Sequence, residues 1–321
     1  MEDEIMSEVT ERTPESVQSQ IKKTRHKAEV PLYIISIILG SIALIIMYGA
    51  IFGEYGIVDK IKEGLTLADI TEANPEFGSI LFGFVAAFAL IGGLGFLCYL
   101  VIIQLYVYYE QYAGEMCYSI RVTEKNFPEI YAKAQEYSKL LGWKKAPEIY
   151  IQQMDGSINA FASWVPGKKF VHLNAEVVDI QYLEHKDFDT LSFVMAHEFG
   201  HLYLHHVQIY YNFWSSLAVV IPVVGKYFLA PLLSRAREYS ADRVAQALTG
   251  ECGTETMMFI TAGRHIYKYT NAEDYMAWVN KDKNFIEKFA RFVKNMLSSH
   301  PVTPFRTKAI LDPTQKSGRL L

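Results

Sequence analysis

The 321-residue chain has only three cysteines, Cys98, Cys117 and Cys252. They form no spaced pair, so neither a disulfide framework nor a thiolate zinc site is indicated; they read as buried thiols in a reducing setting. A basic excess is also missing. Lys and Arg number 31 against 35 Asp and Glu, the net charge is −4, and no basic patch stands out. No nucleic-acid partner is expected on that balance. There is no internal repeat and no low-complexity tract. A secretory signal is lacking too, because the first apolar stretch starts late and is too long for one. The most informative lack is of charge itself, from two long stretches near the amino terminus.

Leu32–Phe52 runs 21 residues without a charged side chain, and Phe77–Tyr109 runs 33. A membrane-spanning helix needs about 20 such residues. The first stretch reads as one span. The second exceeds one crossing, so about 20–25 residues span and the helix continues into water. Gly92, Gly93 and Gly95 would allow close packing against the first span. Between the two lies a short polar loop, Gly53–Glu76. Lys22, Lys23, Arg25 and Lys27 precede the first span, whereas the loop carries only Lys60 and Lys62. Basic residues favour the cytoplasmic side. Both termini, and everything after about Tyr109, are therefore expected there. Residues 1–29, polar and poor in aromatics, read as a mobile or loosely helical tail.

Residues 110–321 look soluble. Phe127–Leu141 has apolar residues at helical spacing and ends at Gly142. Residues 147–154, 157–162 and 169–173 read as strands, with turns at Asp155-Gly156 and Pro166-Gly167. Helices are expected over about 188–208, 234–248 and 284–297, the last amphipathic with Ile286, Phe289, Val293 and Met296 on one side. The expected fold class is mainly α with a small antiparallel β-sheet. The expected organisation is a polar tail (1–29), a two-helix anchor (30–109) and one domain (110–321) with an apolar insert at about 207–233.

One pattern in that domain carries chemistry. His197-Glu198-Phe199-Gly200-His201 sits in the apolar helix. Residues four apart share a helical face, so His197 and His201 can point at one metal ion, with Glu198 able to reach a bound water. By chance such a pattern arises in roughly one chain in a hundred of this length. Zinc needs a third protein ligand. A third His six residues on is ruled out, since Val207 stands there. Glu238 on the later helix fits. Asp242, four residues further on the same face, can accept a hydrogen bond from the free ring nitrogen of a ligand His.

Four pieces in order resemble the HtpX-like integral-membrane zinc peptidases, relatives of the CAAX prenyl endopeptidase: Ser157-x-Asn159-Ala160-Phe161, the His197–His201 helix, Ser234-Arg235-Ala236-Arg237-Glu238-Tyr239-x-Ala241-Asp242, and Ser299-His300-Pro301 with Arg306. The resemblance implies an α+β gluzincin-type fold and one Zn²⁺ held by His197, His201 and Glu238. Glu198 would be the general base and acid. His300, or second Arg306, would stabilise the oxyanion, a surface histidine in a turn being the alternative for His300. Asn159 would contact substrate backbone along a sheet edge. His172, His205 and His206 fit no ligand spacing and read as structural or solvent-facing. The implied substrates are polypeptides at or near a lipid bilayer, in quality control at the bacterial inner membrane. A processing peptidase with one dedicated substrate and a non-catalytic scaffold remain the alternatives, Glu198 speaking against the latter. One departure stands out. The close relatives carry two further spans between the zinc helix and the third-ligand helix. Here about 25 residues separate His206 from Ser234, and two crossings need about 40. The insert is therefore expected as a non-spanning helical hairpin, buried or with Phe213-Trp214 and Tyr227-Phe228 dipping into the lipid interface.

Overall fold

The computed structural model describes residues 12–53, 75–221, 223–281, 284–312 and 318–321. The polar loop lies largely outside these residues. Helix α1 (Pro14–Ile21) departs from the expected mobile tail. Thr13 caps it reciprocally with Ser16, Pro14 opens it, and Val17 and Ile21 are buried in the main core. Arg12 Nη1 donates to Leu248 O at 2.6 Å. Composition reads this segment as solvated because its two apolar side chains, spaced one turn apart, are outnumbered by polar neighbours.

Helices α2 (Glu29–Phe52) and α3 (Pro75–Tyr118) contain Glu29–Ile51 and Leu94–Tyr118, both long and apolar enough to cross a membrane and both largely exposed. Cys98 and Cys117 lie exposed on α3, and Cys252 is exposed too, contrary to the expected burial. Cys98 and Cys117 follow the outward face of α3, and Cys252 lies in the connection between two helices. Gly95 faces open space, so it does not serve close packing against α2. The close approach that α2 does make is at its own Gly40, where a Cβ would lie 2.7 Å from Trp214 O of the insert.

The sheet has four strands, β1 (Ile120–Arg121), β2 (Glu148–Gln152), β3 (Ala160–Val165) and β4 (Lys168–Asn174), in the order β1-β2-β4-β3. Helix α4 (Pro128–Leu140) lies between β1 and β2 in sequence. β3 and β4 form the expected antiparallel hairpin, but β2 and β4 run parallel, with Ile149 opposite Val171. The sheet is therefore mixed. Side-chain alternation identifies strands without fixing their neighbours; β3 occupies the edge and β4 returns beside β2. Tyr112 near the end of α3 packs with Tyr150 and Phe170 of the sheet, while α4 contributes Ile130 and Tyr137 to the main core.

After the short helix α5 (Ala175–Asp179) comes α6 (Phe188–Tyr203). Asp187 caps it by accepting the Thr190 N–H at 2.9 Å. Leu191, Phe193, Met195, Ala196, Phe199 and Leu202 bury this helix almost completely. It ends earlier than its apolar run: Leu204 closes it and His205 turns the chain back with φ +65°.

The insert forms α7 (Ile209–Val219) and a π-turn, Val224–Leu229, that leads into α8 (Ala230–Thr249). At 1.5 Å per residue α7 is about 16 Å long, too short to span. It runs alongside α2, with Tyr33 stacked on Tyr211 at 3.9 Å. A Cβ on Gly225 would collide with Ala218 O, so this glycine lets the two limbs close on each other. Phe213 and Trp214 are half-buried; Tyr227 and Phe228 are exposed. Helices α9 (Thr254–Ala262), α10 (Ala272–Asn280), α11 (Phe285–Leu297) and α12 (Thr303–Leu311) complete the chain. On α11, Ile286 and Phe289 stay exposed while Val293 and Met296 are half-buried.

Candidate metal centre

α6 and α8 pack face to face, and Gly200 makes their approach possible: a Cβ there would lie 3.1 Å from Ala241 O and from Val244 Cβ. This contact brings the expected ligands together. One ligand atom from each of His197, His201 and Glu238 falls within 4.8 Å of the others. His197 Nε2 lies 3.1 Å from His201 Nε2, and these nitrogens sit 3.5 and 3.4 Å from the two Glu238 oxygens.

The outer nitrogens decide what the inner ones offer. His197 Nδ1 lies 2.9 Å from Asp242 Oδ1, as donor to a carboxylate. His201 Nδ1 lies 2.8 Å from His206 Nδ1. With the Nδ1 protons engaged outward, two Nε2 lone pairs and a carboxylate converge on one point. Three acceptors facing each other in a buried site call for a cation, and this donor set suits Zn²⁺. The electrostatics agree. Burial and Arg306 oppose charge on His197, yet hydrogen bonds with Asp242 and Glu238 raise its pKa to about 9, so without a metal the pocket draws a proton onto this ring and a bound cation would take that proton's place. Burial would likewise raise Glu238, but its bonds to His197, His201 and His300 hold it well below the usual carboxylate range.

Arg306 clamps Asp242 from α12, its Nε and Nη2 donating at 2.7 and 2.6 Å. Against the burial penalty, this guanidinium lowers Asp242 to about 2. Nη1 lies 3.5 Å from Glu238 Oε2. His300 Nδ1 reaches Glu238 Oε2 at 3.1 Å while most of its ring stays exposed, and the bond to Glu238 raises its pKa. Its loop is held by fully buried Arg235, which donates to Asn295 O and Ser298 O, and by Asn295, whose Oδ1 accepts the Val302 N–H. Glu198, Asn159, His300 and Arg306 all line the same cavity of 530 Å³ as the three ligands. Asn159 immediately precedes β3, which pairs on one side with β4 and, among the described residues, with no strand on the other.

His172 is buried and joins Glu115 of α3 to Asn174, and His205 is exposed. His206 takes the structural of its two expected readings. It is 3% exposed, burial pushes its pKa down to about 3, and it touches His201. No spacing rule reveals this, because the contact depends on the reversal at His205.

A family model described as Peptidase family M48 matches residues 124–314, more than half of the chain. No curated protein matches, and no solved structure does. The matched segment carries His197, His201 and Glu238 together with Asp242 and Arg306, and on that match the chain belongs to Peptidase family M48, the family of HtpX and CAAX protease-like zinc metallopeptidases.

Proposed function

We propose that the chain is a membrane-anchored, zinc-dependent endopeptidase that cleaves polypeptides at or near a bilayer, with a role in protein quality control. The observation that carries the metal reading is the convergence of His197 Nε2, His201 Nε2 and Glu238 on one point inside a cavity that Glu198 also lines. A bound zinc ion supplies Lewis acidity, polarising a carbonyl and making water more acidic. Glu198 accepts the proton of the attacking water and returns it to the leaving amine. His300, at the cavity mouth, and the Nη1 arm of Arg306 are the donors available to the developing oxyanion. The free side of β3 fits an extended substrate added as a strand, with Asn159 on its backbone.

Membrane anchoring rests on the long, exposed apolar surfaces of α2 and α3. With Lys22, Lys23, Arg25 and Lys27 ahead of α2, the termini and the metal centre face the cytoplasm of a bacterial inner membrane.

The test is metal content together with proteolysis. Purified protein should carry about one zinc per chain, with His201→Ala losing it. Casein cleavage should stop with a chelator and with Glu198→Gln, which should keep its zinc. A zinc-free wild type overturns the metal assignment. A zinc-loaded wild type as inert as Glu198→Gln overturns the enzymatic one.

A further inference from the structure

The two ligand histidines are supported unequally. His197 rests directly on Asp242, four residues beyond Glu238 on α8. Among the described residues no carboxylate is bonded to the outer nitrogen of His201. It meets His206 instead, at 2.8 Å between Nδ1 atoms. The other nitrogen of His206, Nε2, lies 3.1 Å from Glu29 Oε1. Glu29 is the first residue of α2 and is completely buried.

Glu29 is itself firmly held. Ser240 donates its hydroxyl to Oε2, Tyr211 donates to Oε1 at 3.3 Å, and Arg25 pairs with the same carboxylate. Arg25 also donates to Leu204 O at 2.8 Å, at the residue that closes the zinc helix. Ser240 stands midway between Glu238 and Asp242 in sequence and accepts the His26 N–H at 2.9 Å. Five segments thus converge on one buried carboxylate: residues 25–28, α2, the turn after α6, α7 and α8.

Only one placement of protons satisfies this chain with neutral rings. For the inner Nε2 of His201 to offer a lone pair, its proton must be on Nδ1. His206 Nδ1 must then accept, so the His206 proton sits on Nε2. Its acceptor among the described residues is the Glu29 carboxylate, at 3.1 Å. The order of bonds runs from Glu29 through His206 to His201 and ends at the metal position. It does for His201 what Asp242 does for His197, with one imidazole inserted.

We propose that Glu29 and His206 are positioning residues of the metal centre, a carboxylate–imidazole relay that fixes the tautomer and orientation of His201. This rests on the zinc reading above. It also reaches beyond the family's matched segment, because Glu29 lies outside residues 124–314. The segment that resembles other peptidases therefore ends the relay at His206, and the first apolar helix supplies the charge that completes it. The anchor becomes a structural part of the metal site as well as a tether.

The full chain in detergent provides the test. Zinc affinity is measured by competition with a chromophoric chelator, and the unfolding midpoint is measured on the metal-free protein. Glu29→Gln keeps the shape of the side chain and removes its charge. His206→Phe fills the volume and leaves the His201 Nδ1 proton without an acceptor. Both should weaken zinc binding about 10- to 100-fold, the usual effect of removing a partner of a ligand histidine. The metal-free midpoint of Glu29→Gln should fall, since Arg25 loses its charged partner, so the affinity is read at a temperature well below both midpoints, where Glu29→Asp should recover part of it. Glu148→Gln is the control, since Glu148 is a buried carboxylate bonded to Tyr112 and Tyr150, away from the metal residues; it should bind zinc as wild type does. Wild-type zinc affinity in Glu29→Gln overturns the relay, whatever happens to stability. If wild type and all variants fail to bind zinc, the metal reading itself falls.

Discussion

Asp242 and Asp187 shape the site through the side chains and backbone they hold. Asp242 accepts from His197 and from two arms of Arg306, so Asp242→Asn places an amide against a guanidinium and weakens the His197 support. The expected result is a 10- to 100-fold loss in zinc affinity by chelator competition. Asp187 caps the zinc helix and also accepts the Tyr267 hydroxyl at 2.7 Å. Burial would raise its pKa, but the Thr190 N–H and the Tyr267 and Lys268 side chains prevail and lower it to about 2. A depressed carboxylate stabilises the fold above its unfolded value of 3.8 and loses that contribution as pH falls through about 2. Asp187→Ala should therefore cost about 1–2 kcal/mol near neutral pH. Thermal unfolding should show the gap from wild type narrowing below about pH 4. The pairs His197 with His201 and Glu238 with Asp242 are legible in the sequence because each pair shares one helical face, while the meeting of the two pairs is made by the contact of α6 with α8. His206 and Glu29 are not, since their roles arise from a left-handed turn at His205 and from a contact 177 residues apart.

At the scale of elements, the α6–α8 contact sets the geometry of the site. Gly200 stands between Glu198 and His201, and its missing side chain brings α8 close enough for Glu238 to face both histidines. Gly200→Val should force the helices apart, lowering stability by about 1–3 kcal/mol and loosening the metal site with it. Thermal unfolding and chelator competition check the two effects on one sample. Helices with strong apolar periodicity, such as α4, α6 and α8, are readable from sequence to within a few residues. The sheet is less so. Its strands appear in the residue pattern, but the parallel pairing of β2 with β4 depends on which strand takes the edge, a choice made by tertiary packing. Helix α1 is hidden for a related reason: two apolar residues suffice when the surface they cover is already built by α4 and α8.

At the scale of the whole molecule, the amino-terminal segment and the peptidase region form one folded body. Val17 and Ile21 enter the main core, Arg12 bonds to Leu248 O, and Glu29 sits beneath the metal residues. Each of those apolar side chains contributes about 1.5–3 kcal/mol on burial. Total stability of a domain is only about 5–15 kcal/mol. A chain starting at residue 110 should therefore lose its cooperative thermal transition in detergent. A truncated chain that unfolds cooperatively at the wild-type midpoint would show the division at residue 110 to be a true domain boundary.

The place of Glu29 has a further consequence, one of reach. Only two imidazole rings separate the metal position from the residue at which the first apolar helix begins. When α2 crosses a bilayer, the height of the scissile bond above the lipid is fixed by that short stack of side chains. On the proposed membrane-anchored function such a site would act as a ruler: a membrane-embedded chain would meet the cutting point within a few residues of leaving the lipid, whereas a site far along a folded soluble domain would come within reach only after that domain has come undone.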